Sequence, residues 1–390
     1  MKSLKWILVL VLVWRLALLL IGSLGDNFVV YDPSFPYSVD RLAQYDLPRW
    51  LYSWANFDGV HYLTIAEKGY IGTGLIQAFF PVYPFVTDAF TPIFGSSLIV
   101  GLVVSNLSLI VAVILFFILV WQRFDSAIAK YSLFFLLLFP TSFFLGAMYS
   151  ESLFLVWILA SFIFMDKKQW LWATVFAGLA AATRLVGVFM IPALLIALLE
   201  SEKTNWTPKS ILKIIKEKWL TILGFSLALV GLGAYMLFLN SEFHDPLYFF
   251  HVQSEFGSGR QENLILLPQV IWRALKIVAT VPFGLPWITY TQELAFSVGT
   301  LAVLIIAWLQ RKTLKIPSSW LAFSLLSTLL PPLTGSFSSM PRYVLVAFPI
   351  YVILASWTRQ RLVIRVILLV GFGLLLVFNT ILFIQGHWIA

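Results

Sequence analysis

Asp58 and His61 stand three residues apart in WANFDGVHYLTIAEKGY, residues 54–70. On a helix, Asp58, His61, Tyr62 and Ile65 would share one face, so a carboxylate and an imidazole would point the same way. Such a pair can accept a proton from a bound hydroxyl. The plainer reading is that Asp58 caps a helix beginning at Gly59, and spacing alone favours the cap. Two ligands without a third make a poor metal site. No metal is assigned and no cofactor is expected; a divalent cation is compatible with the chemistry but is not required by it.

Other groups have the character of a site. Glu151, in MYSES at 148–152, falls between two very apolar runs with almost no loop. An unpaired charge there is costly, so it needs a partner, and Arg184 in AAATRLVG is the expected one. Arg260 in GSGRQEN and Arg342 in SSMPRY, the latter followed by Tyr343, have flexible or proline-bounded neighbours. A guanidinium so placed can clamp a phosphate bidentately, or it can simply snorkel to the membrane surface. His244 and Asp245 precede Pro246, a turn signal. Arg15 lies in the middle of the first apolar run, either paired with a neighbouring helix or marking a transport path.

The elements that must position these groups are membrane helices. With 60% hydrophobic and 11% charged residues over 390 positions, the chain cannot cover a soluble globule with polar surface. An all-α polytopic membrane protein follows, formed as a single domain over 1–390. Apolar runs predict about 11 transmembrane helices at 4–24, 97–121, 132–148, 151–165, 170–183, 186–199, 219–239, 294–309, 320–333, 343–357 and 363–384. Several runs are short, and nine spans with two re-entrant hairpins is the alternative. The run at 4–24 has no small-x-small cleavage site before Gly25 and is expected to stay as an anchor. Zero cysteines exclude disulfides and thiol nucleophiles.

Charge placement orients this topology. With the N-terminus inside, cytoplasmic segments hold 17 of the 26 basic residues, including Lys203, and outer segments hold 13 of the 18 carboxylates. Basic residues collect in short cytoplasmic loops, so the net charge of +8 is an orientation signal and gives no reason to expect nucleic acid. Two long outer loops, 25–96 and 240–293, are too aromatic for disorder and are expected to fold against the outer membrane face.

Taken in order, the blocks W..FD..HYL.IAE.GY with AFFPVYP, MYSESLF, AAATRLVGV, HDPL.F...Q and SMPRYVLVAFPIY cover the chain from about residue 50 to 352. This ordered set resembles the PIG-V family of mannosyltransferases and its prokaryotic relatives. Leu185 and Val186 depart from it, standing where relatives commonly show a small polar pair.

The resemblance implies a GT-C type glycosyltransferase with its active site on the outer face, and residence in a prokaryotic plasma membrane is part of the same implication. It further implies a polyprenyl-phosphate mannose donor, inverting transfer to a lipid-linked or glycolipid acceptor, and Asp58 as catalytic base. Substrate contacts then fall to His61, Tyr62, Glu151, Arg184, His244, Asp245, Arg260, Arg342 and Tyr343. Membrane lipids are partners, and an accessory membrane subunit is compatible with this reading. A transporter or flippase of a lipid-linked saccharide is the alternative. It is disfavoured because transport sites sit at the midplane of repeated, broken helices, whereas these acidic groups gather in outer loops. A noncatalytic glycan-binding relative is the third reading. Which hydroxyl accepts the sugar is not legible in the residues.

Overall fold

The structure is a computed structural model, and it describes residues 2–35, 37–202, 206–257 and 259–389. Lys203, counted above among the inner basic residues, lies outside them. The described residues form helices and connecting turns without β-strands. Among the described residues, five helices are long and apolar enough to cross a membrane, which makes the chain an integral membrane protein.

The first of these, α1 (Lys2–Leu24), is followed by the predicted outer loop, which is itself partly helical. It contains α2 (Asp58–Lys68) and α3 (Val82–Phe94). Gly95, at φ 75°, ends α3, and the Ser96 side chain accepts from the Ile99 N–H to start α4 (Ser97–Arg123). Asp125 caps α5 (Ser126–Leu137) in the same way through Ile128 N–H. At the centre is α6 (Glu151–Asp166), whose residues are nearly all buried. Between Ser152 and Asp166 it is apolar on every side except at Ser161, as a helix surrounded by other helices must be. It packs most closely on α4 and α7 (Trp170–Thr183).

Further along the chain, the described α-helices of five or more residues are α8 (Met190–Ser201), α9 (Pro208–Glu217), α10 (Trp219–Phe243), α11 (Leu267–Thr280), α12 (Leu285–Leu309), α13 (Ser318–Leu329), α14 (Met340–Val344), α15 (Pro349–Trp357) and α16 (Leu362–Ile384). The run at 294–309 therefore begins nine residues earlier than expected, and the second outer loop ends before α12 and contains α11.

Two expected spans are broken. The run at 132–148 is α-helical only to Leu137, and the segment from Phe139 to Ser150 is buried throughout and irregular apart from one 3-10 turn at Ser142–Leu145. Irregular backbone survives at such depth only where protein groups satisfy it, and here they do. Trp14 Nε1 and the Ser142 hydroxyl both donate to the Leu137 carbonyl at 2.6 Å. Asn379 donates to the Pro140 carbonyl (3.1 Å), and Ser152 to that of Leu145 (2.6 Å). The run at 343–357 is likewise split between α14 and α15, with Pro349 opening the second piece.

The turn after α7 depends on one glycine. A Cβ on Gly187 would sit 2.5 Å from the Ala180 carbonyl oxygen, which is fixed helix backbone. Gly187→Ala is expected to cost roughly 1–3 kcal/mol as an overpacking substitution. A clear drop in the thermal unfolding midpoint in detergent checks this, and an unchanged midpoint would mean the turn has room.

Candidate active site

Asp58 is set by a backbone twist. Phe57, immediately before α2, holds φ 57° and ψ −117°, a left-handed conformation costly for a bulky residue. Its ring is packed against Phe35, Phe383 and Trp388, with centroids 4.6, 5.8 and 5.4 Å away. The Asp58 N–H donates to the Tyr149 hydroxyl at 3.2 Å, and that hydroxyl donates to the Asn56 carbonyl at 2.9 Å. Asn56 in turn donates to the Phe383 carbonyl at 2.8 Å. The segment is thus tied both to the irregular stretch before α6 and to the end of α16.

The Asp58 carboxylate makes no cap bond. It forms an ion pair with Arg342 Nη1 instead, so the simple capping expectation is replaced. Arg342 also places its Nε 3.4 Å from Glu151 Oε1. Glu151, fully buried, accepts a hydrogen bond from Arg184 Nη1 at that same oxygen, which is the predicted pairing. Asp58, Arg342, Glu151 and Arg184 therefore form a chain of alternating charge with no net charge. Arg184 also donates to Ser150 Oγ (3.3 Å), which lies 2.8 Å from the Tyr62 hydroxyl. The Tyr343 ring lies beneath Arg184, 5.1 Å from its Cζ.

Asp58, Arg342 and Arg184 form part of the wall of a cavity of about 930 Å³, whereas Glu151, expected among the substrate contacts, lies buried behind it and does not line it. Asp58, His61, Tyr62, Arg184, Arg260, Arg342 and Tyr343 all line it. Sequence reasoning missed three further charged residues of the lining, Arg273 and Lys276 on α11 and Glu293 on α12. The i, i+3 spacing of Arg273 and Lys276 in an amphipathic stretch was the available signal, obscured by reading that stretch as loop. Five cations face two carboxylates in the lining, Asp58 and Glu293, so the cavity favours an anion. Aromatic rings supply the rest of the wall, with His61 stacked on Phe79 at 4.9 Å and edge-on to Phe256 at 6.0 Å. Arg260 is steadied by the Gln253 side chain (2.9 Å).

His244 and Asp245 stand apart from the cavity. His244, at φ 57°, ends α10 and is exposed. Asp245 accepts from the Leu247 N–H (2.9 Å) and lies 2.6 Å from His251 Nδ1, so its carboxylate is used in shaping the turn. Arg15 is also outside the cavity, with its guanidinium 4.0 Å over the Trp54 ring. Among the described residues, no three His, Cys, Asp or Glu side chains approach closely enough to hold a metal ion.

Burial pushes the Asp58 carboxyl up, but Arg342, and after it His61 and Arg260, outweigh burial and hold it below the ordinary aspartate range. Burial holds the His61 imidazole below its usual value, against the opposing pull of Asp58. At neutral pH the site therefore presents an ionised carboxylate beside a neutral imidazole.

Residues 78–230, less than half of the chain, match the family model of dolichyl-phosphate-mannose-protein mannosyltransferases. That stretch contains Glu151 and Arg184 but not Asp58, Arg260 or Arg342. No curated protein sequence matches the chain. Among solved structures, it is similar to ArnT from Cupriavidus metallidurans bound to undecaprenyl phosphate, at 13% identity and a TM-score of 0.49, covering 97% of this chain and 76% of that one. It is also similar to the Archaeoglobus fulgidus oligosaccharyltransferase complex with Zn and sulfate, at 14% identity and a TM-score of 0.45. That alignment covers 96% of this chain and 53% of the other, so this chain spans about half its length.

Proposed function

We propose that the chain is a GT-C type, PIG-V-like glycosyltransferase that moves a mannosyl residue from a polyprenyl-phosphate donor to a lipid-linked or glycolipid acceptor, with inversion, on the outer membrane face. The observation that carries this reading is an ionised carboxylate, Asp58, on the wall of a cavity whose cations outnumber its carboxylates. The match of residues 78–230 to a mannosyltransferase family and the ordered sequence blocks support it. The orientation rests on the basic residues of the opposite end.

In the proposed reaction the acceptor hydroxyl attacks the anomeric carbon from the face opposite the phosphate. A bond forms between that carbon and the acceptor oxygen, and the bond to the phosphate oxygen breaks. Asp58 takes the hydroxyl proton. The departing lipid phosphate keeps the bonding electron pair, and Arg260, Arg273, Lys276 and Arg342 stabilise its charge. Arg342 starts paired with Asp58. A donor phosphate that draws this guanidinium toward itself frees the carboxylate and raises its basicity at the moment it is needed. Arg184 stays paired with Glu151 and holds the floor of the site.

Purified protein incubated with radiolabelled polyprenyl-phosphate mannose and host membrane lipids tests the reading directly. A labelled lipid product is expected, whereas absence of transfer from several such donors removes the proposal.

Arg342→Gln is expected to raise the donor KM by about 10- to 100-fold, the loss of a charge-assisted contact, and to leave the acceptor KM nearly unchanged. It also removes the largest influence holding the Asp58 carboxyl down. Activity requires the carboxylate, so the acid limb of kcat/KM lies below the ordinary aspartate value of about 3.9 in the native enzyme and moves to higher pH in the variant. A stationary limb would separate Arg342 from the base.

A further inference from the structure

A second cavity, of about 840 Å³, is lined by Arg123, Lys168, Trp206, Arg311, Lys312 and Lys315, among others. It lies at the other end of the bundle from Asp58. Glu151 and Asp166 begin and end α6, and a rise of ~1.5 Å per residue separates them by roughly 22 Å; Asp166 belongs to this second cavity. The two carboxylates in its lining are engaged. Asp166 pairs with Arg123, at 3.0 Å to Nε, and Glu200 accepts from the Ser318 N–H (2.7 Å) and the Ser319 hydroxyl (3.1 Å). Lys168 donates to the Ser201 carbonyl (3.0 Å) and Arg311 to that of Trp308 (2.8 Å). Lys312 and Lys315 are exposed and have no ion-pair partner among the described residues.

Two residues after Trp206, at the wall of this basin, α9 begins. It has three distinct faces. Ile214 is buried against the protein, whereas Lys209, Lys213 and Lys216 recur at helical spacing on the far side. Between them, Leu212 and Ile215, continued by Trp219 at the start of α10, are 58, 44 and 56% exposed. The nearby acids are few: Glu217 lies 3.8 Å from Lys213, and Glu202 lies 4.0 Å from Lys218. A helix with an open apolar strip beside a row of lysines fits the headgroup–acyl boundary of a bilayer.

We propose that this end of the protein holds an anionic phospholipid, its phosphate headgroup in the basin at Lys312 and Lys315 and its acyl chains along Leu212, Ile215 and Trp219. Charge complementarity and the adjacent apolar strip select this occupant. A soluble phosphate would use the lysines and leave the strip unused.

The test reconstitutes the full chain in nanodiscs of equal phosphatidylcholine and phosphatidylglycerol and counts the lipids retained on release by native mass spectrometry. The protein is expected to retain phosphatidylglycerol preferentially. Each lysine near an anionic surface is worth about a fivefold preference, so K312Q/K315Q is expected to reduce it by between about five- and thirtyfold, whereas K312R/K315R retains it. Equal retention of both lipids by the native protein overturns the proposal. So does an unchanged preference in the glutamine pair, or an equal loss in the arginine pair. Displacement of phosphatidylglycerol by millimolar glycerol 3-phosphate also overturns it, because the headgroup alone would then suffice.

Discussion

Asp58→Asn is expected to lower turnover by about 10²- to 10⁴-fold, the range for loss of a positioned general base, while leaving the protein folded and able to bind donor. The amide fills nearly the same volume but cannot take a proton. Arg342 keeps a carboxylate neighbour in Glu151, 3.4 Å from its Nε, so the variant does not strand an unpaired guanidinium. Donor affinity is expected to rise slightly, since Arg342 is released from one of its two partners. Single-turnover transfer measured beside equilibrium donor binding separates the two effects. Turnover near the native rate would remove Asp58 as base.

Glu151→Gln should do the opposite, with its largest effect on the fold. Glu151 is fully buried, and one of its oxygens faces both Arg184 and Arg342. Neutralising it leaves two guanidiniums sharing Asp58 as the remaining carboxylate of the chain. Breaking a buried ion pair by removing one partner typically costs about 3–5 kcal/mol. The thermal unfolding midpoint in detergent should fall well beyond measurement error, and a shift within about a degree would contradict the network. Adding Arg184→Gln to the variant restores the charge balance, so the double substitution should be less damaging than the sum of the single ones.

The Glu151–Arg184 pair was legible because a charge between two apolar runs demands a partner, and few were available. Asp58 was legible as a carboxylate in a long loop between apolar runs, but its partner was not. Arg342 lies 284 residues away, and no local pattern encodes that meeting. Hydropathy overran the segment 138–150 because its residues are as apolar as a helix, even though Pro140 and Gly146 interrupt the run. His244 and Asp245 drew attention through residue type, yet the aspartate is consumed by its own turn. Arg273 and Lys276 escaped notice for the converse reason, lying on a helix inside a stretch read as loop. The helical architecture could be derived from composition and period; the site depended on closure between distant segments.

That closure has a consequence for biosynthesis. Glu151 opens α6 and Arg184 directly follows α7, so the two charges belong to one antiparallel hairpin made by consecutive segments. The hairpin can leave the insertion machinery as an electrically neutral unit, which spares each charge its separate cost in hydrocarbon. Asp58 and Arg342 lie in segments made at opposite ends of this order. At ribosomal rates of about 5–20 residues per second, they are separated by at least roughly 14 seconds of synthesis. Until Arg342 arrives, the half-built protein holds a stable hairpin but no finished site, and the chemistry becomes available only when nearly the whole described chain has been threaded into the membrane.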